Sequence, residues 1–159
     1  MTTTLSAASQ PDTEVHIEHP AQRLAIGNEQ AEVARAADWL DRCSQAVGLP
    51  PELCTALQIA LDEVLTNILK YAYTDTARHA IELSVSAGPA LVVLEVIDDG
   101  VPFDPTLRPP GASGCGVTHP QLGGHGLTIL ARLMDEVTYA RRDGRNHLTL
   151  RKNVNPHQI

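Results

Sequence analysis

From Glu29 to about Val47 the apolar residues Val33, Ala36, Ala37, Leu40, Cys43 and Val47 recur at helical spacing, and Gly48 follows as a stop signal. This predicts a first amphipathic helix. Pro50 and Pro51 followed by Glu52 predict the start of a second, because proline is tolerated in a first turn and an acid there suits the helix dipole. That helix should run to about Tyr71. Leu53, Leu57, Leu61, Val64, Ile68 and Leu69 fall on one side of it, and Asp62, Glu63, Thr66, Asn67 and Lys70 on the other. Val15 to Ile26 alternates enough for one or two short strands. Ile81 to Val85 has period two, and Leu91 to Ile97 is a nearly continuous apolar run; with Gly88-Pro89 between them they predict a β-hairpin. A Gly- and Pro-rich stretch follows from Asp98 to Gly126, too long for a simple connection. The helical pattern restarts at Leu127 and ends at Met134, and Val137–Ala140 and His147–Leu150 form a closing pair of strands around Asp143-Gly144. The order β, α, α, β, β, loop, α, β, β predicts a two-layer α/β sandwich, with helices against a largely antiparallel sheet.

Composition narrows the function classes. A length of 159 residues suits one domain, here expected over residues 15–159, after a polar tail that extends to about Glu14. Twelve Lys+Arg against nineteen Asp+Glu give a net charge of −7 with no lysine-rich run, which argues against nucleic acid as a direct partner. No apolar run approaches the roughly 20 residues of a membrane span, and the first residues lack a basic start and an apolar core. A cytosolic, membrane-free protein is expected. Cys43, Cys54 and Cys115 form no CxxC pair and are read as free thiols. Cys115, His119 and His125 fit no zinc spacing.

Three places carry candidate chemistry. Glu63 and Asn67, at i and i+4, hold a carboxylate and a carboxamide side by side on the polar face of the second helix. Oxygen ligands of this kind suit Mg²⁺, and a carboxylate beside a triphosphate can take a proton from an attacking hydroxyl. A solvated helix face is the plain alternative. Ile97-Asp98-Asp99-Gly100 ends a buried strand on two acids and a glycine. A carboxylate there either caps a turn or accepts a hydrogen bond from an exocyclic amine, and the glycine lets backbone approach a flat ring. Gly123-Gly124-His125-Gly126-Leu127 opens a helix and offers backbone N–H groups to an anion, or serves as a flexible linker. Neither a Walker loop nor a complete GxGxxG is present.

In this order, E-x-x-x-N on a helix, D-x-G ending a strand, a long loop and a glycine cluster opening a helix resemble the N, G1 and G2 boxes of the gyrase, Hsp90, histidine-kinase and MutL ATPases. The flanks DEVLTNILKYAY, VIDDGVPFDP and GGHGLTILARLMDEVTY look like those of the anti-sigma serine kinases of bacterial partner switches, over about residues 29–152. The resemblance implies the Bergerat fold, a mixed and mostly antiparallel sheet with three helices on one face. It implies ATP and Mg²⁺, with Asn67 as the metal ligand and Glu63 as the base. Asp98 would contact adenine and Gly100 would shape its pocket. Gly124, Gly126 and the N–H of Leu127 would approach phosphate, residues 101–123 would form the ATP lid, and Thr149 would place a hydroxyl near the adenine-binding acid. Lys70 and His125 are further candidates for phosphate contact. Phe103 is expected to anchor the lid base in the core, and Arg132, Arg141 and Arg142 are read as surface charge or partner contacts. Relatives of this type phosphorylate a STAS-domain anti-anti-sigma protein on Ser or Thr and otherwise hold a sigma factor, often as homodimers. Two other readings stay open: a nucleotide-gated binding module without transfer, and a stand-alone catalytic domain of histidine-kinase type. The short stretch before the first helix counts against the latter, since no helical hairpin with a phosphoacceptor histidine fits there.

Overall fold

The computed structural model describes residues 19–106 and 126–154. Its elements run β1 (His19–Gly27), α1 (Gln30–Ala46), α2 (Pro51–Asn67), a π-helical turn (Ile68–Ala72), β2 (Ala80–Ala87), β3 (Leu91–Asp98), α3 (Gly126–Leu133), β4 (Glu136–Arg142) and β5 (Arg145–Asn153). The strands form one sheet in the order β1-β2-β3-β5-β4, and each of its pairings is antiparallel. The resemblance implies a mixed, mostly antiparallel sheet; the described pairings contain no parallel one. The tail to Glu14 lies outside the described residues.

Local chemistry sets the ends of these elements. Gly48, at φ 68°, takes the left-handed position after α1. The N–H of Leu49 then reaches the carbonyl of Ser44 at 3.0 Å and that of Gly48 reaches Gln45 at 3.1 Å, so the last carbonyls of the helix are satisfied. Pro51 starts α2 as expected. Asp143 (φ 50°) and Gly144 (φ 73°) make the two-residue turn between β4 and β5, the left-handed pair that matches the twist of a hairpin.

Side chains alternate across the sheet, so one face is buried under the helices. Ile81, Leu83 and Val85 of β2, Val92, Leu94 and Val96 of β3, and Leu148 and Leu150 of β5 point inward, against Leu40 of α1, Leu57, Leu61 and Leu65 of α2 and Leu130 of α3. α1 packs on α2 and β1, α2 on α3, and α3 on β4. The inward rows end on polar residues. Asp98 continues the row Val92-Leu94-Val96, Asn146 begins the row Asn146-Leu148-Leu150, and the two residues are cross-strand partners. The core therefore has a polar end, at the place where the sheet meets the end of α2.

The end of α2 differs from expectation. The α-helical pattern predicts that α2 continues to about Tyr71, but the regular helix ends at Asn67 and a π-helical turn takes Ile68–Ala72. The wider turn ends with the Ala72 carbonyl accepting the N–H of Val101 at 2.8 Å, which fastens the end of α2 to the loop after β3.

Candidate functional site

The polar end of the core opens into a small cleft. α2 and the π-turn supply one wall, with Val64, Asn67, Ile68, Tyr71 and Ala72 in one helical stripe. β3 contributes Asp98, the loop after it Phe103 and Pro105, α3 Leu130, and the β4–β5 pair Tyr139, Asn146 and Leu148. Most of this lining is apolar, and the polar groups are few and placed, as a site for a flat, partly polar ligand requires.

Asp98 is 5% exposed, and so is Asn146. Buried polar groups persist only with partners, and here the partners form a chain. The N–H of Gly100 donates to Asp98 Oδ1 at 2.9 Å, and Asn146 Nδ2 donates to the same oxygen at 2.9 Å. Asn146 Nδ2 also donates to the Val101 carbonyl at 2.9 Å, while its Oδ1 accepts from the Tyr139 hydroxyl at 2.6 Å and from Arg141 Nη1 at 2.9 Å. Arg141 Nη1 donates to the Gly100 carbonyl at 2.7 Å as well. Burial pushes the Asp98 carboxyl above the usual carboxylate range; Asn146 and Gly100 pull it down, Asp99 raises it and Arg141 lowers it.

Gly100 is required here by space. A Cβ built on it would stand 2.5 Å from the Ala72 Cβ and 2.6 Å from the Ala72 carbonyl oxygen. Backbone cannot yield as a flexible side chain can. Gly100→Ala should therefore part the loop after β3 from the π-turn, at a cost of about 1–3 kcal/mol. Thermal unfolding of the variant would check this. An unchanged melting temperature would contradict it.

Beside the cleft, Asp99 takes part in a second cluster. His79 Nδ1 lies 3.1 Å from Asp99 Oδ1 and its Nε2 2.7 Å from Asp75 Oδ1, and the imidazole stacks on Tyr73 with centroids 4.2 Å apart. Carboxylates only accept, so both ring nitrogens are best used as donors, and Asp75 first and Asp99 second hold His79 above the usual histidine range. The His79 backbone pairs with Asn28, N–H to Oδ1 at 3.0 Å and carbonyl to N–H at 3.1 Å. The Tyr73 hydroxyl is buried without a hydrogen-bond partner among the described residues, and burial, then Asp98 and Asp99, raise its pKa. Because the folded pKa of His79 is raised, its stabilising contribution is full below the unfolded value of about 6.5 and fades as pH rises through the folded one. Denaturant midpoints of wild type and His79→Gln should thus differ most near pH 6, with wild type higher, and converge in mild alkali; a gap that widens with pH would contradict this.

The structure gathers some of the expected residues and not others. Asn67 and Asp98 line the cleft, and Gly100 stands behind that wall, its N–H on Asp98 Oδ1 and its backbone close against Ala72. Glu63 is half-buried one turn before Asn67, next to the lining stripe and not within it. Lys70 is exposed and does not line the cleft. Gly126 and Leu127 open α3, whose Leu130 lines the cleft. At 1.5 Å per residue the start of α3 lies about 6 Å along its axis from Leu130, so its positive end is about one turn from that cleft residue. Gly124, His125, Cys115, His119 and all but the first six residues of the expected lid lie outside the described residues.

Two expectations need correction. Thr149 pairs with Glu95 and Thr138, and alternation puts it on the sheet face opposite Asp98. Asn146 holds the place beside the acid instead. Phe103 is half-buried on the cleft wall and stands apart from the buried core cluster. Sequence reasoning missed Asn146, Tyr139 and the inward role of Arg141. Extending the β5 pattern back to Arg145 would have put Asn146 in phase with Leu148 and Leu150.

Comparison with known proteins agrees with this geometry. A family model for the histidine kinase-like ATPase domain matches residues 26–152. The chain is 36% identical over 120 residues to the serine/threonine-protein kinase BtrW of Bordetella bronchiseptica, covering 74% of this chain and 83% of that protein. Among solved structures, the histidine kinase domain of the blue-light activated histidine kinase of Erythrobacter litoralis EL346 matches with a TM-score of 0.50 at 19% identity. That match covers 78% of this chain and 60% of the other, so the chain spans less than two thirds of that neighbour, and the likeness speaks to fold. Among the described residues no helix is long and apolar enough to cross a membrane, and no group of three or more His, Cys, Asp or Glu could hold a metal ion.

Proposed function

The chain belongs to the histidine kinase-like ATPase domain family, which implies ATP binding and a kinase-type function, and from that premise we propose that it is a serine/threonine protein kinase of a partner switch. Its substrate would be a STAS-domain anti-anti-sigma protein, and in its other state it would hold a sigma factor or a similar regulator. The observation that carries the reading is the cleft itself, where Asn67 from α2, Asp98 from β3 and Leu130 from α3 converge within one fold. The 36% identity to a protein named as a serine/threonine kinase supports the choice of acceptor.

Each group has a task. Asp98 Oδ1 is taken up by Gly100 and Asn146, and Oδ2, which takes no hydrogen bond from the described residues, accepts from the 6-amino group of adenine. The apolar walls take the ring. The start of α3, with the N–H groups of Gly126 and Leu127, serves the phosphates, and Gly124 and His125, which lie outside the described residues, are assigned to the same task from sequence alone. A Mg²⁺ carried by a triphosphate needs only one or two protein oxygens, so the absence of a three-ligand cluster among the described residues is compatible with it, and the Asn67 carboxamide on the cleft wall suits that place. When bound, the ion supplies charge neutralisation at the phosphates. The seryl or threonyl oxygen of the partner attacks the γ-phosphorus, the bond to the ADP oxygen breaks, and the hydroxyl proton passes to Glu63. A phosphate dianion at the fitted interface then costs desolvation and repulsion, which releases the partner.

The test is to incubate the chain with Mg²⁺-ATP and the STAS protein encoded nearest to it, and to read the intact mass of that partner. One added phosphoryl group is the expected result. ATP binding and a stable complex without any mass gain would sink the kinase reading in favour of a nucleotide-gated binding module.

A further inference from the structure

Resting on the reading that the cleft takes ATP, the geometry points to Arg141 and Asn146 as positioning residues that set the choice of base: Arg141 fixes the amide of Asn146, and Asn146 fixes Asp98 as an acceptor toward the ligand. A guanidinium has five N–H donors and no acceptor. The amide oxygen of Asn146 must therefore face Arg141 Nη1, 2.9 Å away, with the Tyr139 hydroxyl 2.6 Å away on the same oxygen. The NH₂ end is thereby turned to the opposite side, where it donates to Asp98 Oδ1 and to the Val101 carbonyl, both at 2.9 Å. Two accepted and two donated bonds saturate the amide inside the protein.

Asn146 thus acts through Asp98. Oδ1 of Asp98 receives two donors, from Asn146 and from the Gly100 N–H, which leaves Oδ2 to meet the ligand as an acceptor. Arg141 also grips the Gly100 carbonyl at 2.7 Å, so the same guanidinium holds the loop that follows the acid. An acceptor at this place pairs with a purine that carries a 6-amino donor and repels one that carries a 6-oxo acceptor. Its preference depends on Asp98 staying ionised. Burial and Asp99 work against that state, while Asn146, Gly100 and Arg141 support it, and the neighbouring Tyr73 stays neutral. Without the clamp the Asn146 amide is free to turn over, its oxygen then faces Asp98, and the acid gains a reason to take a proton and to donate to a 6-oxo group.

The experiment titrates ATP and inosine triphosphate, which differ at that position, into the full chain and into Asn146→Leu, Arg141→Met and Arg141→Lys. Melting curves of each protein report folding. Wild type should prefer ATP. Asn146→Leu should lose ATP affinity by about tenfold or more and hold inosine triphosphate within about twofold, so that the preference collapses. Arg141→Met should move the preference the same way by less, and Arg141→Lys should restore part of it. A purely structural role predicts that both affinities fall together; an ATP preference that stays at the wild-type ratio in Asn146→Leu and Arg141→Met overturns the inference. Should Asn146→Leu fail to fold, Arg141→Met on the exposed edge strand decides. If wild type binds neither nucleotide, the ATP reading falls and this inference with it, whereas ATP binding with unchanged ratios removes this inference alone.

Discussion

Glu63→Gln should bind ATP within about twofold of wild type and transfer phosphate to its partner about 10²- to 10⁴-fold more slowly. Glu63 is half-buried one helical turn before Asn67 and stands outside the residues that line the cleft, so it contributes little to holding the base. The i, i+4 spacing puts its Cβ about 5–6 Å from that of Asn67, near the phosphate end if Asn67 serves the metal-bound triphosphate. Glutamine keeps the length and the hydrogen-bonding capacity but cannot take a proton. ATP affinity is read by titration and transfer by single-turnover mass spectrometry of the partner. Transfer at the wild-type rate would remove Glu63 from the role of base, and a large loss of ATP affinity would mean that it holds the nucleotide instead.

The parts of the fold with a strong period are legible in the chain. α1, the start of α2 and the β2–β3 pair appear within a residue or two of their expected bounds, because each buries one face and its apolar spacing records that burial. The π-turn is not legible: Ile68, Leu69 and Tyr71 look like further helix, and only the contact between the Ala72 carbonyl and Val101, about thirty residues away in the chain, shows why the regular helix stops. The site divides in the same way. Asp98 and Gly100 are visible as a break in an apolar strand, and Asn67 as a polar residue on an amphipathic helix. Asn146 is hidden because a strand that is taken to start at His147 excludes it, and a threonine two residues on draws the eye to the wrong face. Arg141 looks like a solubility charge, since sequence carries no sign of its bonds to Asn146 and Gly100. Long-range pairing across β3, β5 and β4 creates that network, and pairing of this kind is not written in local pattern.

Asp98→Asn should cut ATP affinity by about 10- to 100-fold while leaving the fold in place, and should shift the preference toward 6-oxo purines. An asparagine at this position is not free to choose its orientation. The Gly100 N–H and Asn146 Nδ2 both donate to the Oδ1 position, so the new amide oxygen is drawn there, and its NH₂ group must occupy the position of Oδ2. The inner half of the network survives, which is why the melting temperature should change little. The outer half changes sign, because a donor now stands where the proposed reading puts an acceptor toward the 6-amino group, and two facing donors repel. The same substitution removes the carboxylate that burial disfavours, which offsets part of any lost stability. Parallel titrations with ATP and inosine triphosphate, set beside thermal melts, separate these effects. Wild-type ATP affinity in Asp98→Asn would show that the base is held elsewhere in the cleft, and equal losses for both nucleotides would show that the acid shapes the pocket without reading the base.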